Sequence, residues 1–320
     1  MSQPQELWRH LFRALLRESS YLPDPIARGY VHDHVVQRFR RYAEKPRSDQ
    51  QNNILWLSSR RKSAVKGLST LKRANEGYTK PLEKILRLSY GRIGKRRRQL
   101  LATMTAPEVA ADNLAVVDLV KGPAMFEDGW EPPAVVVELL KSQESHSALS
   151  RLGVRHLVKS FEPPIPAQNT WGRTVAPSRR RNIRKRWYST VLNSLYPPLP
   201  DAELSILEGL ISGTVPWQPT RRRTALGSPS PSTEGLTEFL AAGPQKGHTF
   251  RIYASGRGRP HRIARRFMRR LWRRISTLVP RISWNEQGQK HRIVWDSIKN
   301  ENVLSIELDP ASEIFGSKHE

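Results

Sequence analysis

The order of helical patterns and proline breaks at the N-terminus constrains the fold more than any other feature of the chain. From Gln5 to Ser20, apolar residues recur at intervals of three and four positions, which places them on one face of a helix. A second face carries arginines spaced four apart, namely Arg9, Arg13 and Arg17. Pro23 and Pro25 end this pattern, and Asp24 stands where it caps a following helix that has Pro25 at its first position.

Three further helical patterns follow this break. The second helix is predicted to begin at Pro25 and to end at about Tyr42, and the third runs from Gln51 to about Glu76. A shorter fourth helix is predicted from Thr79 to Tyr90. Because the first three helices are joined by short connections, they predict an antiparallel three-helix bundle.

The middle of the chain alternates basic runs with segments rich in proline and glycine. Gly91–Arg98 is strongly basic and leads into a further helical stretch. Residues 105–176 predict a connector with one helix at Ala134–Ser142. The second basic run, Arg179–Tyr188, leads into an apolar helical stripe that Pro197–Pro198 closes.

The C-terminal part combines a low-complexity stretch with a regular helix and two strands. Residues 218–247 contain alternating serine and proline, a composition typical of a flexible linker. Between residues 262 and 275, arginines at steps of three and four form a basic stripe on a helix, and apolar residues occupy the other side. After Pro280, alternating residues on both sides of a turn at 285–289 predict a β-hairpin. The predicted fold class is therefore mainly α: a helical bundle followed by a basic, partly disordered helical region with a small hairpin.

These patterns divide the chain into five segments. The predicted divisions are a helical bundle at 1–90, a basic helix with a loop-rich connector at 91–176, a basic helical segment at 177–217, a flexible linker at 218–247, and a C-terminal basic helix with the hairpin at 248–320. The 24 prolines and 19 glycines of the chain fit folded pieces joined by less regular ones.

The composition limits the chemistry available to the protein. The chain has 54 Lys and Arg against 29 Asp and Glu, and the resulting charge of +25 favours anionic partners such as nucleic acid, acidic protein or anionic lipid. It has no cysteine, which excludes disulfides, thiolate catalysis and cysteine-ligated zinc or iron–sulfur centres. No apolar run reaches the roughly 18 residues that a transmembrane helix requires, so no transmembrane segment is predicted.

The sequence also lacks the motifs of common enzyme classes. His32 and His34 lie on different faces of a helix and make a poor metal site. Gly256–Arg259 is too short for a phosphate-binding loop and lacks the strand-to-helix context, and no Gly-x-Ser-x-Gly motif occurs. We therefore predict that the protein is not an enzyme and binds no metal or cofactor directly.

The first helices carry a specific succession of residues. Leu11-Phe12-Arg13-Ala14-Leu15-Leu16-Arg17 precedes the Leu-Pro-Asp break, the second helix contains the pair Arg38-Phe39, and a long basic and apolar helix follows. This succession resembles the LYR motif (Complex I LYR) family of small mitochondrial helical adaptors. The family tripeptide is Leu-Tyr-Arg, so Phe12 departs from it by lacking the phenolic hydroxyl. The resemblance covers residues 1–90.

The resemblance implies a partner and a mechanism. Proteins of this family receive mitochondrial acyl carrier protein, whose acyl chain, attached to phosphopantetheine, enters the channel between the helices. The carrier protein would thus supply the only prosthetic group. The resemblance assigns the acyl-chain channel and motif to Leu11, Phe12, Leu15 and Phe39. It assigns contact with the acidic carrier protein to Arg13, as the motif arginine, and to Arg17, Arg38, Arg40 and Arg41.

The basic runs outside the bundle predict a second, anionic partner. Lys and Arg residues that neutralise RNA phosphates release counterions and give salt-sensitive, sequence-tolerant binding. The candidate residues are Arg96, Arg97, Arg98, Arg179, Arg180, Arg181, Arg265, Arg266, Arg269, Arg270 and Arg273. Mitochondrial ribosomal RNA or ribosomal proteins are the first candidate partner, and peripheral contact with an anionic membrane is the second. In the third alternative, the apolar face of the C-terminal helix packs on the hairpin and its arginines face solvent.

Two hypotheses about function remain open at this stage. In the first, the protein is an acyl-carrier-dependent adaptor or assembly factor for the mitoribosome or a respiratory complex. In the second, it is an RNA-binding, mitoribosome-associated structural protein whose bundle does not depend on acyl carrier protein. The long basic extension resembles that of little-characterised fungal LYR proteins, which implies the mitochondrial matrix.

Overall fold

The computed structural model describes residues 5–43, 54–106, 123–146, 149, 158, 160–220, 261–285 and 290–295. Within these residues the chain is mainly helical, with one small antiparallel sheet, and the predicted fold class is confirmed. The predicted linker from residue 221 onward, the first part of the predicted C-terminal segment and the turn residues 286–289 lie outside the described residues.

The first four helices follow the sequence pattern closely. They are α1 (Gln5–Ser20), α2 (Pro25–Ala43), α3 (Ile54–Asn75) and α4 (Thr79–Ser89). Asp24 caps α2 as predicted, because its Oδ1 accepts a hydrogen bond of 2.6 Å from the backbone N–H of Ala27. The packed pairs α1–α2, α1–α3 and α3–α4 form the predicted bundle, with α4 as a fourth member.

Five further helices are described beyond the bundle. They are α5 (Gly94–Met104), α6 (Ala134–Ser145), α7 (Pro177–Ser194), α8 (Asp201–Ser212) and α9 (Arg265–Ser276). Helix α8 lies within the predicted helical segment at 177–217, but it was not predicted as a separate helix although it has the usual boundary signals. Asp201 and Glu203 lie in its first turn, and Gly213 follows its last residue with a φ of +98°.

The hairpin near the C-terminus is confirmed. Strands β1 (Pro280–Asn285) and β2 (Lys290–Trp295) pair antiparallel, with Ile282 opposite Ile293. These two isoleucines and Trp295 pack on buried residues of α6 and α7, so one face of the hairpin closes a core.

Two hydrophobic cores hold the described residues together. The first contains the inward faces of α1–α4 together with residues of α8 and α9. The second contains residues of α5, α6 and α7 and the inner face of the hairpin. Helix α5 contacts both cores, because Leu100 packs against the first and Leu101 is buried in the second.

The apolar face of α9 lies in the first core and not on the hairpin. Met268 and Trp272 are fully buried there, and Leu271 is 2% exposed. Because these side chains are enclosed by protein, they present no apolar face to a lipid surface. The third alternative from the sequence was therefore correct that this face packs internally and wrong about the element it packs against.

Candidate functional site

A cavity of about 580 Å³ lies among α1, α2, α3, α4 and the beginning of α5. Most of its wall is apolar and comes from Trp8, Leu15, Val31, Val35, Phe39, Leu57, Ala64, Leu71, Ile85 and Leu88. This volume lies within the range of about 300–1,000 Å³ that is typical of small-molecule pockets. The interior of the bundle can therefore hold an elongated apolar group.

The polar part of the wall is basic. Its charged members are Arg38, Arg60, Lys66, Lys84 and Lys95, and none of the described residues in the lining is acidic. Arg38 donates a hydrogen bond of 3.2 Å from Nη2 to the Ser63 Oγ and so links α2 to α3. An anionic head attached to an apolar tail would thus meet cations at the wall of the cavity that receives the tail.

The cavity exists because α3 presents small residues to it. Leu57, Arg60, Ala64, Gly67 and Leu71 succeed one another at steps of three and four, so they lie on one face of the helix. A Cβ atom added to Gly67 would meet no atom within 4 Å. The middle of this face therefore leaves a volume that larger residues would fill.

An aromatic cluster lies at one side of the cavity. The Phe39 ring packs against the Phe12 ring with centroids 4.8 Å apart and against the Trp8 ring edge-on at 6.3 Å. Trp8 and Phe39 line the cavity, whereas Phe12 lies behind Phe39. Phe12, the residue that departs from the family tripeptide, thus supports the wall without reaching the cavity.

His34 is an uncharged member of the basic wall at neutral pH. Burial and the nearby cations Arg38, Lys95 and Arg41 lower its pKa below the ordinary 6.5. Its ring stacks on Tyr30 with centroids 5.9 Å apart. An anionic group placed in the cavity mouth would offset these cations and favour the protonated form of His34.

The structure brings some of the predicted site residues together and separates others. Leu15, Phe39 and Arg38 line the cavity, and Leu11 is buried in the core beside it. The other predicted carrier-contacting residues, Arg13, Arg17, Arg40 and Arg41, are exposed on α1 and α2 and do not line the cavity.

Four basic lining residues were missed by the sequence reasoning. Arg60 and Lys66 belong to α3, Lys84 to α4, and Lys95 to α5. The periodicity of α3 could have revealed the face on which Arg60 lies, but the sequence gives no signal for the approach of Lys84 and Lys95.

The turn between α1 and α2 is enclosed by residues from distant parts of the chain. The Asp24 Oδ2 accepts hydrogen bonds from the Tyr90 hydroxyl at 2.9 Å and from the Trp272 Nε1 at 2.8 Å. The Trp217 Nε1 donates to the Pro23 carbonyl oxygen at 2.7 Å. Burial raises the pKa of Asp24, and the hydrogen bonds from Ala27, Trp272 and Tyr90 oppose that rise.

The basic run Gly91–Arg98 joins helices to one another. Arg92 is fully buried and donates from Nη1 to the Leu278 carbonyl oxygen at 2.7 Å, and burial lowers its pKa to about 9. Arg96 pairs with Glu203 of α8, and Arg97 donates to the carbonyl oxygens of Leu192 and Leu195 at the end of α7. Of the predicted anion-binding residues in this run, only Arg98 is exposed.

Within the described residues, the second basic run, Arg179–Tyr188, also contains both arginines that pair with acidic side chains and arginines that are exposed without such a pair. Arg180 and Arg184 pair with Asp128 at 2.9 and 2.6 Å, and Arg181 pairs with Glu127. Arg179 is exposed at the beginning of α7. These contacts attach the loop around residue 128 to α7.

Two arginines of α9 bind the end of α8. Arg269 donates from Nε to the Ile211 carbonyl oxygen at 2.6 Å, and Arg265 donates from Nη2 to the Gly213 carbonyl oxygen at 3.2 Å. Cations at a helix C-terminus satisfy its free carbonyl groups and complement its dipole. Arg266 and Arg270 are exposed and Arg273 is half-buried on the same helix.

No helix in the described part of the chain is long and apolar enough to cross a membrane. Among the same residues, no group of three or more His, Asp or Glu side chains is arranged to hold a metal ion.

One comparison with known proteins gives a match. A protein-family model described as LYR motif-containing protein 2-like matches residues 11–101. The matched residues begin within α1 and end within α5, so they include most of the described residues that line the cavity. No curated protein and no solved structure matches the chain.

Proposed function

We propose that the chain is a mitochondrial matrix adaptor of the LYR motif family whose bundle binds acyl carrier protein, because residues 11–101 match a model of that family. Family membership supports a mitochondrial adaptor or assembly role in general, and proteins of the family are generally non-enzymatic. The acyl carrier protein as partner, the matrix and the residues that make contact are the proposed part.

The cavity is the single observation that carries this proposal. An alkyl chain gains about 0.8 kcal/mol for each methylene removed from water, so about eight buried methylenes would contribute about 6 kcal/mol. The apolar wall formed by Leu15, Val35, Phe39 and Leu71 offers that environment inside the family region. A carrier protein without its acyl chain would forgo this contribution.

The charges around the cavity suit the other part of the partner. The phosphate of phosphopantetheine would lie near Arg38, Lys84 and Lys95, while the acidic surface of the carrier protein would contact exposed arginines of α1 and α2. Arg13 is the proposed principal contact, with Arg17, Arg40 and Arg41 around it. Arginine suits this role because its guanidinium binds phosphate and carboxylate groups through two parallel hydrogen bonds.

The parts of the chain beyond the bundle are proposed to contact the client assembly, which is the mitoribosome or a respiratory complex. The described arginines that stay exposed outside the bundle, such as Arg98 and Arg179, provide basic surface for this contact.

The test is a reconstitution with purified acyl carrier protein in its acylated and unacylated forms. We expect the acylated form to bind at least about tenfold more tightly, because only that form fills the cavity. Arg13→Ala and the double variant Arg38→Gln/Lys84→Gln should each weaken binding about tenfold or more. Arg186→Ala, an exposed arginine on α7, is the matched control and should bind as the unchanged protein does.

Two outcomes would contradict the proposal. Equal affinity for the acylated and unacylated carrier protein would show that the cavity does not receive the chain. An effect of Arg186→Ala as large as that of Arg13→Ala would show that overall charge, and not a docking site, determines binding.

A further inference from the structure

The arginines of α9 fall into groups according to the direction in which they point. Arg265 and Arg269 bind the carbonyl groups at the end of α8, as described above. On another side of the helix, Arg274 pairs with Glu83 of α4 at 3.1 Å. These three side chains are therefore occupied by internal contacts.

The third group points away from the protein. At about 100° per residue, Arg266, Arg270 and Arg273 fall within an arc of about 60°, turned about 180° from the buried face of the helix. That buried face consists of Met268, Leu271, Trp272 and Ile275. Within the described part of the chain, the three outward arginines form no hydrogen bond or ion pair. They extend over about 10 Å of the helix axis.

An aromatic pair lies at the beginning of the same helix: His261 is exposed, whereas Phe267 is half-buried and packs against the first core. The His261 ring stacks on the Phe267 ring with centroids 5.2 Å apart and 25° between the planes. The backbone N–H of His261 donates to the Gly77 carbonyl oxygen at 2.9 Å. A Cβ atom at Gly77 would lie 1.8 Å from the His261 carbonyl oxygen, so only glycine allows this approach. Next to Gly77, the Arg73 guanidinium lies 4.9 Å from the centre of the Tyr78 ring.

We propose that this outward face, formed by Arg266, Arg270, Arg273 and the exposed His261 ring that stacks on Phe267, binds single-stranded RNA. A cationic row tracks the phosphate backbone, and an exposed ring face stacks on a base without selecting its identity. The proposal is independent of acyl carrier binding, because none of these residues lines the cavity.

Other anionic partners fit this face less well. An anionic membrane would require an apolar face to insert beside the arginines, and the apolar face of α9 is buried in the first core. The stable interfaces of protein partners have an apolar centre, but the arc of Arg266, Arg270 and Arg273 contains arginine alone. The bases of a single strand, in contrast, are free to stack on the His261 ring.

The number of free arginines sets the salt dependence. Each phosphate neutralised on a single strand contributes about −0.7 to the slope of log K against log salt concentration. Replacing the three arginines should therefore make that slope less steep by about 2. Removing a stacking ring should instead weaken binding at every salt concentration and leave the slope unchanged.

The experiment uses the full chain and a fluorescein-labelled oligouridine RNA, with fluorescence anisotropy measured over a range of KCl concentrations. The test variant is Arg266→Gln/Arg270→Gln/Arg273→Gln. The matched control, Lys62→Gln/Lys185→Gln/Arg186→Gln, removes the same charge from exposed positions of α3 and α7. We expect a slope change of about 2 for the first and a smaller change for the second, and His261→Ala should weaken binding at least about fivefold at constant slope.

Several results would overturn the proposal. It fails if the α9 variant keeps the slope of the unchanged protein, or if the control variant makes the slope less steep by as much as the α9 variant does. It also fails if the α9 variant still binds RNA but no longer binds vesicles of phosphatidylcholine and phosphatidylserine. If the triple variant melts at a lower temperature than the unchanged protein, the single variant Arg270→Gln replaces it in the experiment. This single substitution should change the slope by about 0.7. Acyl carrier binding by the α9 variant should stay unchanged, which separates this result from the proposed function.

Discussion

Helix α4 separates two regions of the bundle that are filled very differently. Its packed side, formed by Leu82, Leu86 and Tyr90, is fully buried in the first core, to which α8 and α9 also contribute. Its cavity side, formed by Lys84, Ile85 and Leu88, faces the 580 Å³ cavity. Side chains thus fill the core on one side of α4, whereas the other side of α4 borders an apolar cavity.

The difference between the two sides indicates where a partner belongs. On the packed side, residues far along the chain supply the missing apolar surface, and Trp272 is the largest of them. On the cavity side, Gly67 and Ala64 leave space that no described side chain occupies. Substitutions on the packed side should therefore change stability, and substitutions on the cavity side should change binding.

The largest expected effect is on the packed side, at Trp272. Trp272→Ala should lower the free energy of unfolding by about 3–5 kcal/mol, because it leaves a cavity and removes a hydrogen bond donor from Asp24. Chemical denaturation measures this change. Trp171→Ala is the matched control, since Trp171 is 83% exposed, and it should change stability by less than about 0.5 kcal/mol. Equal effects of the two substitutions would contradict the description of the packed side.

A smaller loss is expected when the hydrogen bonds of Asp24 are altered without a change in volume. In Asp24→Asn, an NH₂ group, which can only donate, replaces one of the two oxygens that accept hydrogen bonds. This group would face either the Ala27 N–H or the donors of Tyr90 and Trp272, so two donors would meet without an acceptor. The free energy of unfolding should fall by about 1–3 kcal/mol. Asp33→Asn, at an exposed position of α2, gives the baseline. A neutral result for Asp24→Asn would mean that the carboxylate does not join these elements.

On the cavity side, Gly67→Leu should separate stability from binding. Leucine is favoured over glycine inside a helix, so stability should rise by about 0.5–1 kcal/mol. Its side chain would occupy the space of about four methylenes and weaken binding of acylated carrier protein by about 3 kcal/mol, on the order of a hundredfold. Isothermal titration calorimetry with both carrier forms tests this, and the unacylated form should be unaffected.

The matched control for Gly67→Leu is Gly29→Leu. Gly29 is also helical with no atom within 4 Å of an added Cβ, but it does not line the cavity. It should give the same gain in stability and no loss of binding. A loss of acyl-dependent binding at Gly29 would show that the cavity is not the site.

The smallest expected effect concerns the pH dependence of binding. Because the pKa of His34 lies below 6.5, His34 gains its charge only as the pH falls below that value. An anionic partner favours the protonated form, so carrier binding should tighten a few-fold between pH 7.5 and 6 at constant ionic strength. The stability of the free protein should change in the opposite direction. The unfolded chain binds the proton on His34 more readily than the folded protein does, so the free energy of unfolding should fall as the pH drops through 6.5. His34→Gln should remove both dependences, and a variant that retained them would exclude His34 as their source.

The sequence predicted the local structure well because its signals are local. The C-terminal end of α1 and the beginning of α2 follow from Pro23, Asp24 and Pro25. The hairpin follows from the alternating residue pattern around Ile282 and Ile293. The cavity, however, depends on a gap between helices that Gly67 leaves open, and such a gap has no periodic signature. Leu15, Phe39 and Arg38 were predicted site residues because of the resemblance to the LYR motif family, and they do line the cavity.

The roles of individual arginines could not be predicted for a related reason. Arg96 and Arg98 belong to the same basic run, but one pairs with Glu203 and the other is exposed. The partner of Arg96 lies 107 positions further along the chain, so only the packing of α5 against α8 distinguishes the two arginines. The link from Trp272 to Asp24 spans 248 positions and has no local signal at all.

The late position of α9 in the chain has a consequence for biosynthesis. The packed side of α4 stays open until Trp272 and Ile275 have left the ribosome, long after the helices of the bundle have been made. At about 5–20 residues per second, this interval lasts roughly 10 to 40 s. During that time Leu82 and Leu86 are exposed on a nascent bundle, so chaperones that bind apolar segments should recognise this protein until α9 has packed against α4.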